Sequence, residues 1–239
     1  MKINAKLGKN LMTASLSTGL LLVLTQAVQA GYYDHLSPDE QAEIRAGHQV
    51  VKEQEISGDP WPQFTIYQKI NATAFESAAV FCDFNRHHEY FPGIVSSEVT
   101  ETQPGGHLTL NYRIQMMGQS DDTTVKEWVH KVDSSYRVDW KLASSRLAEL
   151  SDGFAVFEPL GNAGESALLV YSDLIKPNSS VPSFLLGMFK KKVENEIRDS
   201  VSAIEGRVHA LKADASSSAD PVRSQLLAQE QDQLSKLLQ

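Results

Sequence analysis

The 239-residue sequence holds one cysteine, Cys82, so no intramolecular disulfide can form. Its Cys and His residues do not fall at the spacing of a zinc site. Glycine-rich phosphate loops and the Gly-x-Ser-x-Gly elbow of serine hydrolases are also missing, so nothing points to nucleotide binding or to that nucleophile. Basic residues are scarce. With 22 Lys+Arg against 30 Asp+Glu the formal charge is -8, a poor match to a polyanion, and nucleic acid is set aside as a partner. There is no internal repeat, and beyond the first thirty residues no run is long and apolar enough to cross a bilayer.

The first thirty residues stand apart. Lys2, Lys6 and Lys9 precede an apolar stretch from Leu11 to Leu24, and Val28 and Ala30 put small residues where signal peptidase cuts. This predicts a secretory signal over residues 1–30 with cleavage before Gly31. The uninterrupted apolar run Leu20–Leu24 is far short of the ~20 residues a spanning helix needs. No cysteine follows the small residues, so a lipid anchor is not expected. Loss of three lysines and no acids would leave 19 basic against 30 acidic residues, a formal charge of -11. The expected location is outside the cytoplasm, periplasmic if the source is Gram-negative.

Past Gly31 the residue pattern is easily divided. Ser37-Pro38-Asp39-Glu40 is a helix start with Ser37 as cap, Pro38 in the first turn and Glu40 three residues on, and Gly47 can end that helix. His48–Ile56 reads as an extended arm. Phe64, Ile66 and Ile70 alternate as in a strand, and Thr73 caps a helix carrying Phe75, Ala78, Ala79 and Cys82. A second short piece runs from Asp83 to Phe91 and stops at Pro92-Gly93. A series of strands follows. Leu108, Leu110, Tyr112, Ile114 and Met116 share one face, Tyr136, Val138, Trp140 and Leu142 another, and Trp128, His130 and Val132 one side of the strand between them. Asp121-Asp122 is read as a turn, and Phe154–Glu158 and Leu168–Ile175 as two further strands. After Pro182 the period becomes helical, with Phe189, Val193, Ile197, Val201, Ile204, Val208 and Leu211 forming one stripe. Strands closed by one long helix predict an α+β fold in which a curved antiparallel sheet encloses a cavity. The expected organisation is an N-terminal helix and arm over 31–63, a ligand-binding domain over 64–211, a flexible linker over 212–221 and an amphipathic tail over 222–239.

The segments Tyr90-Phe91-Pro92-Gly93-Ile94, Gly153–Leu160 and Leu169-Val170-Tyr171 leading to Pro177 resemble the START-like polyketide cyclase and coenzyme Q-binding group of the SRPBCC superfamily. The resemblance covers about Phe64–Leu211. It implies a helix-grip (START/Bet v 1-like) fold, a sheet wrapped around a long C-terminal helix, and a lipid, quinone or polyketide-like ligand between them. No cofactor is implied.

Candidate ligand contacts are the aromatic and sulfur-bearing residues of the inner face and the start of the last helix: Leu110, Tyr112, Ile114, Met116, Trp128, Trp140, Tyr171, Leu185, Met188, Phe189 and Val193. His130 and Asp173 are the polar side chains that alternation places inside. Together, or with Tyr112, they would supply the acid and base of a cyclase-type enzyme, the alternative to a non-enzymatic carrier. His87-His88-Glu89 does not suit a metal, because adjacent helical residues diverge by about 100 degrees, and is read as a solvated face. Lys190, Lys191 and Lys192 could touch anionic headgroups, and the tail leucines could serve a protein partner.

Overall fold

A computed structural model describes residues 31–116, 119–161, 164–177, 186–216 and 225–239. The expected signal and Leu185 lie outside them, as do parts of the expected linker, and the side chain of Met116 is not described. A single 3-10 turn, Tyr33–His35, leads into α1 (Pro38–Ala46). Its capping box is complete: Ser37 N donates to Glu40 Oε2 at 2.7 Å, and Glu40 N to Ser37 Oγ at 3.3 Å. Gly47 ends the helix in the left-handed region at φ 89, which a Cβ would strain. The segment expected as a free arm is a strand, β1 (Val50–Gln54), which pairs with β2 (Gln63–Ile70) and forms one edge of the sheet. Thr73 then caps α2 (Ala74–Phe81) in the same reciprocal way with Glu76.

A 3-10 turn (Phe84–Arg86) and the short α3 (His87–Tyr90) lead to six strands: β3 (Ile94–Gln103), β4 (His107–Met116), β5 (Gln119–Val132), β6 (Ser135–Ser144), β7 (Ala148–Leu160) and β8 (Ser166–Pro177). All eight strands join one antiparallel sheet in the order β1-β2-β8-β7-β6-β5-β4-β3. The curved sheet and its long helix make a START-like helix-grip fold. The Asp121-Asp122 turn is not seen, because both residues are inside β5. Asp121 is buried there. Burial alone would raise its pKa, but bonds from Ser145, Leu147 and Arg146 outweigh that and hold it at about 2.

The long helix α4 (Leu186–Ala215) crosses the concave side, and its residues Val193, Ile197, Val201, Ile204, Val208 and Leu211 are buried in the main core. Each contributes roughly 1.5–3 kcal/mol by leaving water, so a charge at the fully buried Val201 would unseat the helix. The helix runs past the expected linker start at Lys212. On the outer side of the sheet α1 lies over β1 and β2, and its Ile44 joins Leu36, Val50, Val156, Leu168 and Val170 in a second buried cluster. This is why β8 is apolar on both faces. The tail forms α5 (Leu226–Leu237), whose Leu227 and Leu234 enter the main core, while Gln233 Nε2 donates to the Cys82 carbonyl at 3.3 Å.

Candidate functional site

Between sheet and α4 lies a cavity of about 240 Å³. Strands β4, β5, β6 and β8 supply Tyr112, Ile114, Val125, Trp140 and Tyr171, α2 supplies Phe81, and α4 supplies Ile197 and Ser200. No Lys or Arg is among the described lining residues. Trp140 reaches the cavity because its neighbour across the strands is Gly153. A Cβ on Gly153 would come within 2.6 Å of the indole and 2.3 Å of the Ser172 carbonyl oxygen. The ring also packs against Tyr171, with centroids 4.9 Å apart.

Antiparallel partners point to the same side of a sheet, so the register fixes the facing of every residue in the wall. Leu108 pairs with Glu127, Leu110 with Val125 and Tyr112 with Thr123. The buried face of β5 is therefore Thr123, Val125, Glu127 and Val129. Trp128 and His130 are on the opposite, outer face, which corrects their expected inward placement. Trp128 is 42% exposed and stacks between His107 and His130 at 5.4 and 4.0 Å, with its indole N–H donating to the Gly105 carbonyl at 3.1 Å. His130 lies 3.7 Å from Asp139, outside the cavity, and so makes no pair with Asp173 or Tyr112. Size misled the sequence reading: the ring of Trp128 outweighed the alternation of Val125 and Val129, which marks the other parity.

Of the remaining expected contacts, Tyr112, Ile114, Trp140, Tyr171 and Asp173 line the cavity. Leu110 and Val193 are packed core residues that do not border it, Phe189 is half-buried away from it, and Met188 is 58% exposed on the helix surface. The turns of α4 that face the cavity carry Glu196, Ile197 and Ser200 instead, one turn further along the stripe than expected.

Two residues missed by sequence reasoning complete the site. Glu127 is only 7% exposed, and burial pushes its carboxyl up to about 8 against a smaller downward pull from Tyr112. His87, expected on a solvated face, is buried between Phe81, Phe91 and Tyr112, and burial lowers its pKa to about 4. The hydroxyl of Tyr112 joins them, 3.0 Å from His87 Nδ1 and 3.2 Å from Glu127 Oε1, while His87 Nε2 is 2.6 Å from the Phe81 carbonyl. Asp173, on the β8 wall, is raised to about 7 by burial, with bonds from Trp140 and Ser151 pulling the other way. The cavity thus presents largely apolar walls and, besides Glu196, which is paired with Lys192, two carboxyl groups, Glu127 and Asp173, that burial shifts toward the protonated form.

No family model matches the chain, and no curated protein matches it. Solved structures do. A STAR-related lipid transfer protein fragment from Xanthomonas axonopodis is 14% identical with a TM-score of 0.58, over 67% of this chain and 93% of that one. Human StAR-related lipid transfer protein 5 is 10% identical with a TM-score of 0.58, over 70% and 84%. The Zhui aromatase/cyclase from Streptomyces sp. R1128 is 14% identical with a TM-score of 0.53, over 68% and 94%. The chain has the START-like helix-grip fold of these structures.

Proposed function

We propose that this is an exported protein that binds a hydrophobic small molecule, lipid, quinone or polyketide-like, between its sheet and α4, and carries or senses it without converting it. The observation that carries this reading is the cavity of about 240 Å³ with apolar walls and no lining cation. Ligand pockets run from roughly 300 to 1,000 Å³, so a compact ring system suits this one better than a two-chain lipid, which would need the walls to part. Two solved structures of this fold are lipid transfer proteins, which supports binding of an apolar molecule, and one is an aromatase/cyclase. The enzyme alternative loses its His130 base, which faces outward, and would have to use Glu127 or Asp173.

Export draws support from the surroundings of Gly31. Its nitrogen is 3.2 Å from Asp34 Oδ2, and Glu158 accepts from Tyr32 N at 2.9 Å and Tyr33 N at 2.8 Å. Cleavage before Gly31 would place a new ammonium beside two carboxylates. Transient headgroup contact through Lys190, Lys191 and Lys192 is the finer part of the reading. Lys191 and Lys192 already pair with Glu194 at 2.9 Å and Glu196 at 2.8 Å, which weakens the field they offer a membrane. A protein partner at the tail would have to displace α5 from its own core.

Protein recovered from its native compartment should begin at Gly31 by N-terminal sequencing and carry an extractable apolar compound by native mass spectrometry, unchanged on prolonged incubation. Retention of Met1 contradicts export. Conversion of the compound that disappears in Glu127→Gln contradicts carriage.

A further inference from the structure

The hydrogen bonds around Tyr112 cannot all be made at once unless the protons run in one direction. The Phe81 carbonyl only accepts, so His87 Nε2 carries the hydrogen of that 2.6 Å bond. A neutral imidazole then has Nδ1 as acceptor, and the Tyr112 hydroxyl, 3.0 Å away, donates to it. Tyr112 has one proton. Were Glu127 ionised, that proton would be claimed by Oε1 at 3.2 Å and Nδ1 would be left without a donor. With Glu127 protonated on Oε1 every position is filled: the carboxyl O–H donates to Tyr112, Tyr112 to His87, and His87 to the backbone. Burial, which raises Glu127 and lowers His87, favours the same arrangement.

One atom is left over. Glu127 Oε2 is buried and has no hydrogen-bond partner among the described residues, although its residue borders the cavity. Because the proton is held on Oε1, Oε2 is the carbonyl oxygen of a neutral acid and can only accept. A buried acceptor without a donor is costly, and the described residues supply none. Resting on the carrier reading above, we propose that Glu127 Oε2 is the polar recognition point of the cavity and selects a neutral apolar ligand that bears a hydrogen-bond donor, a phenol or alcohol hydroxyl. A ketone, ester or quinone of the same shape would set acceptor against acceptor. An anionic ligand would find no cation among the described lining residues. In a quinone couple the reduced, hydroxyl-bearing form is the one that fits.

The test uses two probes with one ring system, 2-naphthol and its methyl ether 2-methoxynaphthalene, titrated by calorimetry into the purified protein at neutral pH. The wild type should bind the naphthol roughly 2- to 10-fold more tightly, the worth of one hydrogen bond. Glu127→Met keeps an apolar group of similar length, and it should bind both probes equally. Tyr112→Phe leaves the carboxyl proton free to turn, so it should narrow the preference while both probes still bind. Equal affinities in the wild type overturn the donor-selection proposal and leave the cavity reading standing. A preference that persists undiminished in Glu127→Met, or in Tyr112→Phe if the first variant does not fold, also overturns it. Failure of both probes to bind the wild type sinks the carrier reading itself.

Discussion

The two faces of β5 are one residue apart in sequence and opposite in chemistry. The inner face holds Val125, Glu127 and Val129, all buried in the main core or at the cavity, while the outer face carries Lys126, Trp128 and His130 toward solvent. The largest side chain is on the wet side, and the Glu127 carboxyl is on the dry side. Side-chain size is therefore a weak guide to facing, and an acid buried at the expense of its charge is the stronger sign of a site. The contrast with β8 sharpens this. There the outer face is covered as well, by a cluster that includes Leu36 and Ile44, so Leu168 and Val170 are buried on one side and Leu169 and Asp173 on the other.

The comparison of faces breaks most easily at the two tryptophans. Trp140→Ala on the inner face should cost about 4 kcal/mol, since it opens a hole beside Gly153 and strips Tyr171 of its neighbour. Trp128→Ala on the outer face should cost under about 1 kcal/mol, because much of the ring is already in water. Urea midpoints of both variants at one pH check this. Equal losses would mean that the inner and outer assignments are not distinct.

A smaller effect concerns the inner acids. Glu127 moves from 4.5 to about 8 on folding and Asp173 from 3.8 to about 7, so the folded chain holds protons that the unfolded chain has released. Stability from this source is fully present below about pH 4 and is lost as pH rises to about 8. His87 opposes it: lowered from 6.5 to about 4, it costs stability as pH falls through that range. Glu127→Gln should remove one acid from the balance and reduce the loss between pH 5 and 8 by roughly 2–4 kcal/mol. Urea melts of wild type and variant at those two pH values measure the difference. An unchanged slope would show that Glu127 is ionised in the folded protein.

Much of the frame was legible in the residues. Both capping boxes, the alternation of β4 and β6 and the stripe of α4 are local signals, written within a few residues of where they act. What could not be read locally depended on partners distant in sequence. The arm at Val50–Gln54 becomes a strand only because β2 offers an edge, and His87 is buried only because Tyr112 and Phe91 close over it. The parity of β5 followed from its pairing with β4, since Glu127 faces inward with Leu108. The docking of α5 rests on Leu227 and Leu234 meeting a core built mostly a hundred or more residues earlier.

The central claim is that the space between the sheet and α4 receives a ligand. Ser200 borders that space from the helix, and Ser200→Phe should fill it while the helix stays in place. Calorimetric titration of 2-naphthol is the most direct measurement, with circular dichroism to verify that the variant is folded. The account predicts saturable one-site binding by the wild type, weakened at least about tenfold in Ser200→Phe. Equal binding by both proteins would place the ligand elsewhere and contradict the account.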